Sequence, residues 1–361
     1  MTSLRVLHLI PSLGGGGAER QITYLARGLA QSGVDVHVAF LREGSNFDRL
    51  AASGATLHCI ASRGNYDALL VARIARLIRS VKPHLVQTWL TQMDVLGGAA
   101  ATLTRTPWLL SERSSPPAYP RTFKHRLRER IGAFAAGVVA NSPPGLEVWK
   151  HARGAKFVVP NAVAFDEIAA AARDESLVPP DAQVVLFAGR LDREKNIPTL
   201  VAALAQVTEA RNAVAILCGE GPQENETRAL IAGRERILLH GFTPRLWNLM
   251  KRADALVAVS IFEGNPNVVI EAAAAGLPAV LSDIPAHRAF LGDDAALCVP
   301  TADANAIAGA ILRTLDDRPA ALARAANARR AVERWSIEHA AAAYVRVYRQ
   351  IVGQEGMRCA A

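Results

Sequence analysis

Aromatic residues and cysteines are scarce in this chain. Phe, Trp and Tyr together make up 6% of its 361 residues, so the chain lacks the stacking platforms that bind single-stranded nucleic acid. The four cysteines, Cys59, Cys218, Cys298 and Cys359, are far apart and form no CxxC pair. This spacing argues against a zinc site and against a disulfide framework.

Long apolar runs are also missing. No stretch of about 18 residues is apolar without charges or breakers, so we expect no transmembrane helix. The N-terminal segment MTSLRVLHLIPSL has one Arg and a short apolar run that Pro11 interrupts. This pattern predicts a first strand rather than a secretory signal, and we expect a cytoplasmic protein.

The chain carries a formal net charge of +8. An excess of positive charge suits an anionic partner, which would be a nucleotide diphosphate, an anionic lipid surface or nucleic acid. The basic residues are dispersed along the sequence, which disfavours nucleic acid. A nucleic-acid-binding basic protein is therefore kept only as an alternative.

Short apolar runs alternate with Ala- and Leu-rich helical stretches along the whole chain. Most runs are continuous, as in parallel strands that are buried on both faces. The alternation predicts an α/β protein with doubly wound, Rossmann-like parallel sheets, and two sets of about six runs predict two sheets. The predicted strands are Leu4–Ile10, Asp35–Leu41, Thr56–Ile60, Leu85–Trp89, Trp108–Ser111, Gly137–Asn141, Val184–Ala188, Val214–Cys218, Ile237–Leu239, Ala255–Val259, Ala279–Ser282 and Ala296–Val299.

A polar, Ala-rich stretch with Pro179 and Pro180 separates the two sets of strands and predicts a linker near 160–182. We therefore predict one domain over 1–165 and a second over 166–334. The remaining residues, 335–361, are predicted to form an amphipathic C-terminal helix.

A run of four glycines lies between the first strand and a helix that is predicted to extend to about Gln31. Glycine lets the backbone approach a phosphate, and a helix N-terminus supplies N–H donors and positive potential. A turn that needs positive φ is the alternative, but Gly14 to Gly17 are more glycines than a turn needs. We predict phosphate contact for Gly15, Gly16 and Gly17.

Two cations, Arg190 and Lys195, follow the predicted strand Val184–Ala188. Open α/β sheets bind ligands at the carboxyl ends of their strands. The two side chains suit a clamp on a diphosphate, with Arg as a planar fork and Lys as a point charge. For the neighbouring Arg193 and Glu194 we expect a solvated loop.

Two carboxylates flank a predicted helix start, where Asn265 would cap a helix that begins at Pro266. Glu263 lies in the preceding loop, and Glu271 lies in the second turn among Val, Ile and Ala. A carboxylate in such a helix is costly to bury without partners. Sugar and ribose hydroxyls are suitable partners, so the pattern favours a binding role.

In combination these segments resemble the retaining family-4 glycosyltransferases of the GT-B fold. The resemblance covers essentially the whole chain and rests on GAER, VVPNAV, FAGRLDREKNIPTL, CGEGP, HGF, EGNPNVVIEAAAAGLPAV and RWSIEHAAAAYVRVYRQI, in this order. It implies two Rossmann-like domains that face each other across a cleft, with 1–165 on the acceptor side and 166–334 binding the nucleotide sugar. The last helix would cross back to the N-terminal domain.

The resemblance also implies roles for individual residues. Arg190 and Lys195 would hold the donor diphosphate, and Glu263 would contact the donor sugar, which makes these three the catalytic candidates. The donor-binding candidates are Gly15, Gly16, Gly17, Gly219, Gly241, Gly264, Asn265 and Glu271, the last at the ribose. Family members usually work without a DxD metal site, and this sequence has no DxD triplet. We therefore expect neither a metal nor a cofactor, because the nucleotide sugar is a substrate.

One position departs from the family pattern. Many relatives have a His after the fourth strand, where this sequence has Gln92. A Gln cannot act as a general base, although it can hydrogen-bond a phosphate or a hydroxyl. Gln92 and Arg113 are candidates for the acceptor or phosphate side. A front-face retaining mechanism, in which the departing phosphate takes the acceptor proton, does not need the His.

A basic run precedes the apolar residues Ile131 and Phe134. It suits an anionic membrane surface, an acceptor phosphate or a solvated face, and the first of these would make the protein peripheral on the inner face of a membrane. The cations of this run are Arg121, Lys124, Arg126, Arg128 and Arg130.

The expected activity is metal-independent, retaining transfer of a hexose from a UDP- or GDP-linked sugar to a glycan or lipid-linked acceptor. Family habits suggest cell-surface polysaccharide biosynthesis. A nucleotide-sugar-binding homologue without transferase activity is an alternative that Gln92 keeps open. A sugar-nucleotide 2-epimerase of the same architecture is a further one, but it would lack the pairing of Arg190 and Lys195 with Glu263 and Glu271.

Overall fold

The computed structural model describes residues 3–64, 67 and 69–359, and at 354–359 the description is confined to the backbone. Contacts within the chain divide it into two units. Unit 1 comprises Met1–Ala162 and Trp335–Ala361, and unit 2 comprises Val163–Arg334. Each unit contains one parallel sheet with helices packed on it.

Within the described residues, unit 1 contains a parallel sheet of seven strands in the order β3-β2-β1-β4-β5-β6-β7. The strand order reverses between β1 and β4. From β1 the chain adds β2 and β3 on one side of the sheet, and it then returns to add β4 to β7 on the other side of β1. The strands are β1 (Arg5–Leu9), β2 (Asp35–Phe40), β3 (Thr56–Cys59), β4 (Leu85–Trp89), β5 (Trp108–Glu112), β6 (Gly137–Ala140) and β7 (Ala155–Val158).

The helices of unit 1 include the C-terminal one, which packs against the first. Its apolar side chains Ile337, Ala341, Tyr344, Tyr348 and Ile351 recur every three or four residues and are buried, as expected for one face of an amphipathic helix. The helices are α1 (Gly17–Gln31), α2 (Phe47–Ala51), α3 (Leu70–Val81), α4 (Leu90–Leu103), α5 (Phe123–Gly132), α6 (Pro143–Leu146) and α15 (Ile337–Cys359).

Unit 2 contains, within the described residues, a parallel sheet of six strands in the order β10-β9-β8-β11-β12-β13, and here the order reverses between β8 and β11. The strands are β8 (Gln183–Ala188), β9 (Ala213–Cys218), β10 (Ile237–Gly241), β11 (Ala255–Ala258), β12 (Ala279–Ser282) and β13 (Leu297–Val299). The helices are α7 (Phe165–Ala170), α8 (Ile197–Ala210), α9 (Glu224–Leu230), α10 (Leu246–Arg252), α11 (Asn267–Ala275), α12 (Pro285–Arg288), α13 (Ala304–Asp316) and α14 (Arg318–Val332).

Two doubly wound parallel sheets confirm the predicted fold class, and the twelve predicted strands all form within two residues of their predicted ends. The prediction for the start of α11 is wrong by one residue. Pro266 has φ −73° and ψ 105°, which is extended backbone, so Pro266 takes the capping position and the helix begins at Asn267. Pro266 at the capping position makes no side-chain cap hydrogen bond.

The prediction that Arg128 belongs to a membrane-facing basic surface is wrong. Its side chain is 3% exposed and lies inside unit 1, where its Nε donates to Asp94 Oδ2 at 2.7 Å and its Nη1 to Glu112 Oε2 at 2.9 Å. The guanidinium also stacks on the rings of Tyr119 and Trp149. The cation turns inward because two buried carboxylates need a counter-charge.

The rest of the basic run does lie on the surface. The four remaining cations are exposed, and so are Phe123 and Phe134, at 73% and 68%. No helix in the described part of the chain has both the length and the apolar composition that a membrane crossing requires.

Candidate functional site

In an open, doubly wound sheet, ligands bind beyond the carboxyl ends of the strands where the strand order reverses. In unit 2 this point lies between β8 and β11. The loop after β8 carries Arg190 and Lys195, and the loop after β11 carries Ser260 and Glu263. The topology thus brings two segments that are far apart in sequence to one edge of the sheet.

Lys195 and Glu263 form an ion pair at this edge. Lys195 ends a short 3-10 turn, Arg193–Lys195, and its Nζ donates to Glu263 Oε1 at 2.5 Å. Ser260 Oγ donates to the same carboxylate oxygen at 2.8 Å. Glu194 Oε1 lies 3.4 Å from the Lys195 ammonium, which therefore faces two carboxylates.

The ion pair is mostly shielded from solvent, since the two side chains are 13% and 12% exposed. Burial opposes the charge on Lys195, but Glu263 and then Glu194 outweigh it, and the pKa of Lys195 is raised. Burial also raises the pKa of Glu194. Lys195 is accordingly a fixed ammonium at neutral pH.

Arg190 stands apart from this pair. Its side chain is 68% exposed, and the carboxylate close to it is Asp192, with Nε to Oδ2 at 3.6 Å. The structure therefore joins Lys195 with Glu263 and leaves Arg190 extended into solvent at the same strand end. An exposed guanidinium is free to fold over an anion that arrives there.

The segment after Glu263 is buried. Gly264 and Asn265 lie in the loop before α11, and Glu271 is 2% exposed within that helix. A carboxylate that is buried to this extent matches the sequence argument that Glu271 is not an ordinary surface residue. Its assignment to the ribose stays a prediction.

Gly219, a predicted donor-binding residue, is also required by the backbone conformation of unit 2. Gly219 has φ +144°, and a Cβ there would lie 1.8 Å from the carbonyl oxygen of Gly189, so any other residue would collide with the backbone after β8. Gly241 ends β10 and accepts the Gly219 N–H at 2.8 Å. These contacts hold the two loops side by side at the carboxyl edge.

In unit 1 the strand order reverses between β1 and β4, and the glycine loop follows β1. All four glycines are described, and none has a positive φ. A Cβ on Gly14 would approach no closer than 3.9 Å to Ser12 Oγ. A Cβ on Gly16 would lie 2.2 Å from Glu19 Oε2, the end of a flexible side chain that could move aside. Close approach of a ligand to the N-terminus of α1 stays a prediction for Gly15 to Gly17.

Gln92 is the third residue of α4, the helix that follows β4. It therefore lies across from the glycine loop, at the point where the strand order of unit 1 reverses. Its Nε2 is closed to solvent and bonds to none of the described residues. Arg113, after β5, lies over the Trp89 ring at 4.9 Å and donates to Asn161 Oδ1. Its guanidinium is thus engaged within unit 1, and its role toward an acceptor or phosphate stays a prediction.

Sequence reasoning missed two residues at the unit 2 edge. The expectation of a solvated side chain holds for Arg193, which is exposed, but it is wrong for Glu194, which contacts Lys195. His287 on α12 was not considered, although it is 1% exposed and its helix follows β12 at the same sheet edge. The sequence carried no clear signal for His287, because Arg288 follows it directly and Asp283 lies four residues before it.

Within the described residues, no three or more His, Cys, Asp or Glu side chains are grouped so that they could hold a metal ion. The cations that the sequence predicted at the unit 2 edge are the side chains of Lys195 and Arg190. What this edge can do chemically is to bind an anion and to stabilise negative charge that develops there.

Two family models match the chain. The model for glycosyltransferase family 4 matches residues 15–167, and the model for glycosyl transferases group 1 matches residues 169–331. The chain belongs to glycosyltransferase family 4. The predicted family is confirmed, and this group 1 glycosyltransferase has the two parallel-sheet α/β domains of the GT-B fold.

Curated relatives of this family 4 glycosyltransferase match it over different lengths. The lipopolysaccharide core biosynthesis glycosyltransferase LpsD of Rhizobium meliloti is 26% identical over 84% of this chain and 85% of its own. The phosphatidyl-myo-inositol mannosyltransferase of Mycolicibacterium smegmatis is 33% identical over 48% and 47%. An uncharacterised glycosyltransferase of Methanocaldococcus jannaschii is 33% identical over 29% and 28%, so this chain spans little more than a quarter of that relative.

Solved structures share the fold. The crystal structure of Anabaena Alr3699/HepE in complex with UDP and glucose superposes with a TM-score of 0.84 at 19% identity, over 95% of this chain and 99% of that one. Sucrose-phosphate synthase from Thermosynechococcus elongatus superposes with a TM-score of 0.81 at 21% identity, over 97% and 100%. At these identities the likeness shows the GT-B fold alone.

Proposed function

We propose that this glycosyltransferase moves a hexose from a UDP- or GDP-linked sugar to a glycan or lipid-linked acceptor, with retention of configuration and without a metal. Its place would be cell-surface polysaccharide biosynthesis, on the cytoplasmic side. The observation that carries the proposal is the Lys195–Glu263 pair at the switch point of unit 2, with Arg190 extended beside it.

The proposed step is a substitution at the anomeric carbon of the donor. The bond from this carbon to the diphosphate oxygen breaks, and a bond to the acceptor hydroxyl oxygen forms on the same face. The departing diphosphate takes the hydroxyl proton. Lys195 and Arg190 stabilise the negative charge that grows on the diphosphate, an interaction that is stronger in the transition state than in the ground state.

Relatives support the proposed donor and setting. Structures of Anabaena Alr3699/HepE contain UDP with glucose, or UDP-glucose, and the name of LpsD places that relative in lipopolysaccharide core biosynthesis. In this chain, an exposed Arg and a buried ammonium at a strand end suit a nucleoside diphosphate.

The function is tested with a panel of UDP- and GDP-linked hexoses and a thermal-shift readout. A true donor present at about 100-fold its Kd stabilises the fold by about 2.7 kcal/mol. In a domain of this size that raises Tm by roughly 5 to 10 °C. Product formation with the stabilising donor should then continue in EDTA, because the proposed cations are side chains.

Stabilisation without turnover on any glycan or lipid-linked acceptor would instead support a nucleotide-sugar-binding homologue. A salt-dependent DNA shift with no stabilisation by any nucleotide sugar would reject the transferase. Activity that is lost in EDTA and restored by Mg²⁺ or Mn²⁺ would reject the metal-independent step alone.

We also propose that α5 attaches the protein to an anionic membrane near its acceptor. Arg126 and Arg130 lie on the helix face opposite the inward Arg128, as expected from 3.6 residues per turn, and both are exposed together with Phe123 and Phe134. Aromatic side chains among cations are typical of a helix at a lipid surface.

Flotation with phosphatidylglycerol vesicles and with neutral phosphatidylcholine vesicles tests this attachment. Removing the two cations with Arg126→Gln and Arg130→Gln should weaken binding to anionic vesicles roughly 30-fold, at about 1 kcal/mol for each cation. Arg329→Gln with Arg330→Gln makes the same charge change on exposed residues of α14 and should have much less effect. Equal binding to both vesicle types in low and high salt would contradict the proposal.

A further inference from the structure

Two histidines meet on the sheet of unit 1, in a part of the fold that the proposed mechanism does not use. His37 lies on β2 and His58 on β3, which is an edge strand of the seven-stranded sheet. His37 Nδ1 lies 2.9 Å from His58 Nε2, and the two ring planes are 16° apart. At this distance one of the two nitrogens donates an N–H to the lone pair of the other.

A carboxylate decides which nitrogen is the donor. Asp35 precedes His37 by two residues on β2, so both point to the same face of the sheet, and its Oδ1 lies 3.2 Å from His37 Nε2. Arg5 Nε donates to Asp35 Oδ2 at 2.5 Å, and this bond lowers the pKa of the Asp35 carboxyl. A negative oxygen favours a proton on the nitrogen that faces it. His37 therefore carries its proton on Nε2, and its Nδ1 accepts the N–H of His58 Nε2.

The pair of rings can take up one proton and keep its hydrogen bond. The first added proton enters at His58 Nδ1, and the resulting imidazolium still donates from Nε2. A second proton has only His37 Nδ1 left to bind. It would place two N–H groups against each other at 2.9 Å and bring two cations together. The second proton therefore breaks the contact between the two strands.

The immediate surroundings favour neutral rings. Burial lowers the pKa of His37, although Asp35 opposes this effect, and the charge of Arg5 lowers it further. Burial and then the charge of His37 lower the pKa of His58. Both imidazoles are accordingly neutral at pH 7.

Helix α3 packs on the sheet face that carries the two histidines, since Ala39, two residues after His37, shares one core cluster with Ile74 and Ile78. Helix α1 packs on the opposite face of β2. The charged and titratable groups of α3 and of the segments beside it are Arg73, which pairs with Asp67, the exposed Arg76, Arg79 and Lys82, and His84, whose Nδ1 accepts the Arg5 N–H. The sum of these charges is positive, which opposes the addition of protons to the pair.

We propose that His37 and His58 form an acid-sensitive latch between β2 and the edge strand β3. The latch holds while the two rings share at most one added proton, and it opens when a second proton enters at His37 Nδ1. Both protons come from solvent. The inference concerns the stability of unit 1 and does not depend on the proposed transferase activity.

The latch makes the stability of unit 1 decrease in acid. In the unfolded chain each of the two histidines binds a proton with a pKa of about 6.5, whereas the folded pair binds one proton between them. The stabilisation is therefore complete above about pH 6.5 and is lost as the pH falls below that value. In this range the pair raises the unfolding equilibrium constant by up to about 10-fold for each pH unit.

Urea unfolding of the full chain at about pH 7.5 and about pH 5 compares wild type with His37→Asn. The Asn Oδ1 can accept the His58 N–H in place of Nδ1 but takes up no proton, so His58 can titrate without breaking the bond. We expect acid to raise the unfolding constant of wild type at least about 10-fold more than that of His37→Asn. His151→Asn removes an exposed histidine of unit 1 and should respond to acid as wild type does. An equal response in wild type and His37→Asn would overturn the inference.

A titration of the folded wild type covers the case in which His37→Asn does not fold. The ¹⁵N signals of both rings are followed by NMR from about pH 7.5 down to about pH 5. We expect His58 Nδ1 to take up a proton first, while His37 Nδ1 keeps the signal of an unprotonated, hydrogen-bonded nitrogen. Two independent steps near the ordinary pKa of histidine would contradict the shared proton and the latch with it.

Discussion

Lys195→Ala is expected to lower kcat by roughly 10²-fold or more, the effect of removing a preorganised group that stabilises developing negative charge. Arg190→Ala should also lower kcat, because both cations face the departing diphosphate in the proposed step. Lys195→Arg should restore activity only in part, since a planar fork differs from a point charge in reach and geometry. Steady-state kinetics on the confirmed donor measure these losses.

Arg193→Ala is the matched control for both variants. Arg193 lies in the same loop and is exposed, so its removal should leave kcat and KM close to wild type. Losses in the double variant of Arg190 and Lys195 should be less than additive if the two act as one unit. Near wild-type kinetics in both single variants, with folding checked by circular dichroism, would show that the proposed mechanism is wrong.

Arg128→Met is expected to destabilise the protein by about 3 to 5 kcal/mol, the cost of removing one partner from a buried ion pair. The substitution leaves Asp94 and Glu112 without their counter-charge. Burial raises the pKa of Asp94 to about 6, even though Arg128 opposes this rise, so loss of the cation should drive this carboxyl to its protonated form. Urea unfolding followed by circular dichroism measures the change.

Arg126→Met is the control on the same helix, and it should change stability by no more than about 0.5 kcal/mol, because Arg126 is exposed. Adding Asp94→Asn and Glu112→Gln to Arg128→Met should recover part of the loss, since no buried charge then remains. A loss in Arg128→Met that is no larger than in the Arg126 control would contradict the buried network.

The sheets were predictable because strand formation here is a local property. A parallel strand that is buried on both faces needs a continuous apolar run, and Val184–Ala188 or Val214–Cys218 show this within five residues. Helix ends were less predictable. At α11 the backbone of Pro266 stays extended, so the helix begins at Asn267. Asn265 and Pro266 are both suited to a helix start, and the sequence alone does not decide which of them takes the capping position.

The candidate site was predictable where a charged residue directly follows a predicted strand. Arg190 and Lys195 follow a strand, and Glu263 follows another, so the rule for open sheets places all three at one edge. The rule does not say which side chains meet. Lys195 pairs with Glu263, 68 residues away, while Arg190 stays in solvent.

The sequence by itself determined the fold class, the family and the segments that line the carboxyl edges, because apolar runs, glycines and charges at strand ends are local signals. Only the tertiary structure decided which charges are buried. Arg128 looks like its neighbours in a basic run, yet it turns inward because Asp94 and Glu112 come from other elements, 34 and 16 residues away. His287 is likewise buried by the fold, at 1% exposure, although Arg288 beside it in the sequence is exposed.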